Sequence, residues 1–208
     1  MKASLVIPVL NEQNTIPKLV RKAARYQFIN EIIVIDDNSS DSTLKNLNKM
    51  KSKKLKIIEN EKNIGSIKSR IRGLEKTKNN IVIFMDGDGQ HNLKDVKKLT
   101  NNIKHYDLIL GIRNKLPRIG EKILAYACNV KDATTGLRVF KKSKLQNLIR
   151  KENLWGAKTI YLAKKKNKKI KQIPISIQKR KHGSSIHSNP KVLLKSIIFL
   201  IKTKLRLI

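Results

Sequence analysis

The sequence predicts an α/β fold: an open, mostly parallel sheet with helices on both faces. Two observations carry this. Over the first two-thirds of the chain, short β-branched runs alternate with amphipathic stretches. The runs are apolar at nearly every residue rather than every second one, as strands covered on both faces must be. Size agrees: 208 residues, 39% hydrophobic and 30% charged, suffice for one sizeable core and do not read as disordered or membrane-spanning.

In chain order, strands are expected at 4–9, 31–36, 55–59, 80–85 and 106–111, and helices at 15–26, 41–51, 66–78 and 93–104. Asp41 and Asn92 stand where N-caps are expected. Beyond Gly111 the rhythm changes. A short helix (119–129) leads to a turn at 132–136 and a strand-like segment at 137–140, then helices at 144–151 and 157–166, and a strand at 171–177. Residues 178–189 read as a polar loop. The organisation expected is one domain over 1–189 with an appended amphipathic helix over 190–208.

That last helix has an apolar stretch, Val192 to Ile201, broken by Lys195 and flanked by basic residues. It is about half of the roughly 20 residues a spanning helix needs. Two readings fit: a helix lying in a membrane interface, or a terminal helix packed on its own domain. The N-terminus runs straight into a strand pattern, so no secretory leader is expected. A single cysteine, Cys128, excludes a disulfide framework and fits a reducing compartment.

Lys and Arg number 47 against 15 Asp and Glu, for a formal charge of +32. Compositional bias, an anionic substrate or a lipid surface, and nucleic acid would each produce this. Aromatic residues at 4% are too few for base-stacking platforms, so no nucleic-acid partner is expected.

Six of the 15 acids stand just after three predicted strands: Glu12; Asp36, Asp37 and Asp41; Asp86 and Asp88. Open α/β sheets bind ligands at these carboxyl ends. In Asp86-Gly87-Asp88, two carboxylates on a tight turn suit a hard cation, Mg²⁺ or Mn²⁺, shared with substrate phosphates. Alone the triplet is as compatible with an ordinary turn. No phosphate-cradling glycine loop, zinc spacing or nucleophile elbow is present.

Taken together, the motifs resemble family-two glycosyltransferases of the GT-A fold, most of all the dolichol-phosphate (polyprenyl-phosphate) mannose or glucose synthases. The resemblance rests on Val6-Ile7-Pro8 with Asn11-Glu12, Val34-Ile35-Asp36-Asp37-Asn38-Ser39 with Asp41-Ser42-Thr43, and Asn63-Ile64-Gly65. It continues through Asp86-Gly87-Asp88-Gly89-Gln90-His91, Gly111-Ile112-Arg113, Asp132 to Phe140, Ile173-Pro174-Ile175 and Arg180 to Ser185. These occur in the family's order over nearly the whole chain.

The resemblance implies that Pro8, Asn11, Glu12 and Asp37 contact base and ribose of a nucleotide sugar (a GDP- or UDP-hexose). It implies that Asp86, Asp88 and Gln90 hold the cation, with Asp86 also near the donor. Arg113, Thr135 and Arg138 take positions that bind an acceptor phosphate, and Arg180 and Ser184 lie in a loop closing over both substrates. Departures fall on the acceptor side: the 113–132 segment is short, Lys158 stands where a glutamate is usual, and Asn167, Ile186, Asn92 and Leu93 replace the family's residues.

The function expected is inverting, metal-dependent transfer of a hexose to a polyprenyl phosphate, by a protein peripheral to the cytoplasmic face of the membrane. Catalysis would rest on Asp86, Asp88, Asp132 and Arg138. Two alternatives stand beside it: a same-fold transferase with a hydroxyl acceptor and Asp132 as base, and a non-catalytic basic protein on this fold.

Overall fold

The computed structural model describes residues 1–152, 156–178 and 190–207. In chain order the elements are β1 (Ala3–Val9), α1 (Ile16–Ala24), β2 (Ile29–Asp36), α2 (Thr43–Asn48), β3 (Leu55–Glu59), α3 (Ser66–Glu75), β4 (Ile81–Phe84) and α4 (Leu93–Asn102). A 3₁₀ turn (Ile103–His105), β5 (Leu108–Ile112), α5 (Ile119–Cys128), β6 (Arg138–Lys141), α6 (Lys142–Ile149), α7 (Ala157–Lys165), β7 (Ile170–Pro174) and α8 (Pro190–Lys204) follow.

The seven strands form one sheet in the order β3-β2-β1-β4-β6-β5-β7, parallel except for β6. The expected fold class holds. Every residue of β1 is buried, because helices cover both faces of the sheet there. On one face, Ile16, Leu19, Val20 and Ala23 give α1 its helical stripe, and α4 adds Leu93, Val96 and Leu99. Leu74 of α3, with residues of α5, α6 and α7, covers the other face.

β1 pairs with β2 on one side and β4 on the other, so the crossovers leave it in opposite directions. A crevice opens at such a point, beyond the strands' carboxyl ends. Pro8 sits there at no cost to the ladder. Met85 donates to the carbonyl of Val6 on the β4 side, and by alternation Pro8 faces that side after β4 has ended.

β6 was not distinguishable from a parallel strand in the sequence. Its reversal matters, because Arg138 at its start pairs with Phe84 at the end of β4 and with Leu110 near the end of β5. The turn that leads into β6 therefore meets the same rim as the parallel strands' carboxyl ends.

Several expected boundaries move. Tyr106 caps the 3₁₀ turn, so β5 starts at Leu108. β7 ends at Pro174, because Ser176 leaves the ladder to donate to Asp95. The helix expected at 41–51 shortens to α2 with Ser42 at its N-cap, although Asp41 still accepts from the Thr43 amide at 2.8 Å. Asn92 caps α4 as expected, accepting from Lys94 at 2.9 Å. Among the described residues, no helix is long and apolar enough to cross a membrane.

Candidate active site

At the ends of β1 and β2 the two loops are tied to each other. Asn11 adopts a left-handed φ of 55°, which asparagine tolerates, and its side-chain oxygen accepts from the Ser40 amide at 2.9 Å. The Glu12 amide donates to Thr43 at 2.8 Å, and the Glu12 side chain is buried. Asp36 turns its carboxylate onto Ser39. Asp37 is committed as well, accepting from Asn60 at 2.8 Å and from the Ile64 and Gly65 amides at 2.9 Å each. In this arrangement Asp37 holds the 60–65 loop in place.

At the end of β4, Asp86 pairs with Arg70 of α3, and His91 Nε2 lies 3.6 Å from its other oxygen. Partial burial alone would raise the Asp86 carboxyl. Arg70 first, and His91 with it, outweigh that and hold it well below the usual carboxylate range. Arg70 Nε and His91 Nδ1 are buried and make no hydrogen bond. Asp88 accepts from the Gln90 amide at 3.0 Å, and the Gln90 side chain donates to the Gln178 carbonyl at 3.1 Å. Asp86 and Asp88 supply carboxylate oxygens of the kind Mg²⁺ and Mn²⁺ take, and two such ligands beside substrate phosphates is the usual set for these ions. Among the described residues, no cluster of three or more acids, histidines or cysteines could complete a shell from protein alone. The donor chemistry fits a divalent cation.

The 132–138 turn closes the rim. A side chain at Gly136 would place its Cβ 1.8 Å from Asp86 Oδ2, so only glycine lets this turn touch that carboxylate. Asp132, fully buried, takes a two-pronged pair from Arg113, at 2.7 Å from Nε and 3.0 Å from Nη2. It also accepts from the Thr134 amide at 3.0 Å and its hydroxyl at 3.3 Å. Burial pushes the Asp132 carboxyl up, but the Arg113 pairing and these donors bring it below the ordinary carboxylate range. Arg113 reaches Glu121 on α5 at 3.2 Å, and Arg118 meets the same oxygen at 3.2 Å. Arg138 is buried, donating at 3.0 Å to the carbonyls of Thr135 and Ala133, and burial lowers its pKa to about 10.

Pro8, Asn11, Glu12, Asp37, Asp86, Asp88, Gln90, Arg113, Asp132, Thr135 and Arg138 thus gather along one rim of the sheet. Arg180 and Ser184 lie outside the described residues. Sequence reasoning missed Arg70. The signal was there: Arg70 stands on the stripe of Ile67, Ile71 and Leu74, and a charge on a helix's inward face calls for a partner.

Many solved structures share this fold. Glucosyl-3-phosphoglycerate synthase of Mycobacterium tuberculosis superposes with a TM-score of 0.74 at 18% identity, over 97% of this chain and 79% of that one. The dolichol-phosphate mannosyltransferase of Pyrococcus furiosus is 28% identical over 89% of this chain and 59% of its own length. The dodecaprenyl-phosphate galacturonate synthase of Rhizobium johnstonii is 30% identical over 54% of this chain and 36% of its own. A dolichyl-phosphate N-acetylglucosaminyltransferase of Methanococcus voltae is 27% identical over 82% and 83%. The chain thus spans less than two-thirds of the first two polyprenyl-phosphate enzymes. The model of glycosyl transferase family 2 matches residues 4–117, more than half of the sequence, and the chain belongs to that family.

Proposed function

We propose that this protein transfers a hexose from a nucleotide sugar to a polyprenyl phosphate, with inversion and with a divalent cation. The observation that carries the acceptor class is the state of Asp132. A hydroxyl acceptor needs a carboxylate base within hydrogen-bond reach of the attacking hydroxyl. Asp132, which was the candidate, is buried, bound by Arg113 and Thr134, and its carboxyl is lowered by that pairing, which makes it a weaker proton acceptor. A phosphate monoester needs no such base, because its second ionisation near pH 6 leaves it largely dianionic at neutral pH. The polyprenyl- and dolichyl-phosphate names of the relatives support the same choice.

In this reading, Asn11, Glu12 and Pro8 line the nucleotide's side of the crevice, and Asp37 serves by fixing the 60–65 loop beside it. Asp86, Asp88 and Gln90 hold the cation, which neutralises the departing diphosphate when bound. Arg70, already seated on Asp86, is placed to share in that charge. Arg113, Thr135 and Arg138 shape the 132–138 turn for the acceptor phosphate, with Arg138 donating to the carbonyls of Thr135 and Ala133.

The pH profile tests this. With saturating donor, kcat/KM for a short polyprenyl phosphate is expected to fall on the acid side with an apparent pKa near 6. Asp132→Asn, corrected for the folded fraction, is expected to keep kcat within about tenfold. A loss of the roughly 10² to 10⁴ that removal of a general base produces would contradict the reading.

A further inference from the structure

Arg138 is enclosed, 8% exposed, and an enclosed cation is costly unless its edges are partnered and its charge is balanced. Nε donates to the Thr135 carbonyl and Nη2 to the Ala133 carbonyl, at 3.0 Å each. Both acceptors are neutral groups of its own turn, so they fix the plane of the guanidinium without balancing its charge. Nη1 lies over Gly156, where an added Cβ would overlap the guanidinium. Gly156 holds a left-handed φ of 101° at the N-cap of α7. Glycine meets both demands, the backbone angle and the room.

A glycine N-cap brings no side chain to the first amides of its helix. Glu152, which follows α6, supplies one from outside: its Oε2 accepts from the Thr159 amide, in the first turn of α7, at 2.8 Å. A carboxylate suits a helix N-terminus. The same side chain lines a chamber of about 30 Å³ with Arg138, Gly156 and Thr159, between the sheet and α3, α6 and α7. Among the described residues around that chamber Glu152 is the one acid, against two cations, Arg70 and Arg138. Arg70 is taken by Asp86. Burial lowers the pKa of Arg138, and of the surrounding charges Glu152 does most to oppose that.

We propose that Glu152 and Gly156 are positioning residues for Arg138: together they seat its guanidinium from the α7 side, so that it meets the acceptor phosphate in one orientation. Neither is among the residues expected from the sequence to touch donor or acceptor. Their role presupposes the phosphate acceptor proposed above and adds the source of its selectivity. A guanidinium held in one plane offers paired donors to phosphate oxygens, which a hydroxyl cannot use.

The test is titration calorimetry of the full chain with geranyl phosphate, a short polyprenyl phosphate, and with geraniol, its alcohol. Glu152→Gln keeps an oxygen for the Thr159 amide and removes the charge. Gly156→Ala leaves Glu152 in place and displaces Arg138, and circular dichroism sets the temperature at which each variant is folded. Each is expected to weaken geranyl phosphate binding about tenfold and to leave geraniol binding unchanged. In an Arg138→Lys background, where there is no fork to orient, each should cost less than about twofold more. Three results would overturn the inference while leaving the phosphate acceptor standing. They are geranyl phosphate binding unchanged or tightened in either variant, an equal loss for geraniol, or the full loss persisting beside Arg138→Lys. If the unmodified chain binds geranyl phosphate no better than geraniol, the phosphate acceptor and the positioning role fall together.

Discussion

Asp88 and Asp132 share a rim of the sheet, but their surroundings give them opposite chemistry. Asp88 stands half-exposed on a turn, with an oxygen bound to the Gln90 amide. Asp88→Asn keeps size and removes a charge that the proposed reaction assigns to the cation, so metal-dependent kcat/KM should fall at least about 100-fold. The melting temperature should stay within about 2 °C, and a larger fall would mean that Asp88 holds the fold. Asp132 is the reverse case, fully buried and held by Arg113. Asp132→Asn leaves the half-buried Arg113 without its two-pronged partner, with an expected loss on the order of 3 kcal/mol in urea unfolding. The pH dependence follows from the lowered carboxyl of Asp132 in the fold. Its contribution is complete above the unfolded carboxylate's pKa of about 4 and disappears as pH falls below that. Melting of the unmodified protein should therefore decline more steeply below about pH 4 than melting of the asparagine variant. The sequence made both acids visible as strand-end or turn residues. It did not separate them, because partners such as Arg113, 19 residues before Asp132, are brought in only by the fold.

At the scale of elements, β1, β2 and β4 were legible because a strand covered on both faces is apolar at nearly every position, and that survives in the sequence without any partner in view. β6 was legible as a strand but not in direction, since apolar runs carry no sign of parallel or antiparallel pairing. The ends of β5 and β7 moved because hydrogen bonds from neighbouring elements, and not side-chain polarity, terminate them. For α8 the length and the apolar content were legible in the sequence, but which stripe faces in was not. The close approach at Gly120 makes a specific expectation. Gly120→Ile would force a branched side chain against Ser196 and should cost about 1–3 kcal/mol. Ser196→Ala, whose hydroxyl bonds only its own helix, should stay within about 1 kcal/mol. Urea midpoints of the two variants distinguish this packing from a loosely attached tail, for which both would be neutral.

Across the whole molecule, two apolar layers flank one sheet, and the candidate site residues stand on its rim rather than in either layer. Cys128 reports on the second layer. Burial, with Glu152 nearby, pushes its thiol up to about 12, so alkylation at neutral pH should proceed only as fast as the domain opens. Fast labelling of the native protein would contradict that packing. The charge of +32, ambiguous in the sequence, acquires a direction in the fold: acids collect at the strand ends, and the chain beyond Glu152 carries none. The central claim is that this rim moves a sugar onto a phosphate. Its most direct test is to incubate the purified protein with Mn²⁺, a panel of UDP- and GDP-hexoses and a short polyprenyl phosphate, and to identify products by mass spectrometry before and after mild acid. The account predicts a polyprenyl hexosyl phosphate that mild acid cleaves, formed only with metal and lost in Asp88→Asn. An acid-stable glycoside on a hydroxyl acceptor, with the polyprenyl phosphate unchanged, would contradict it.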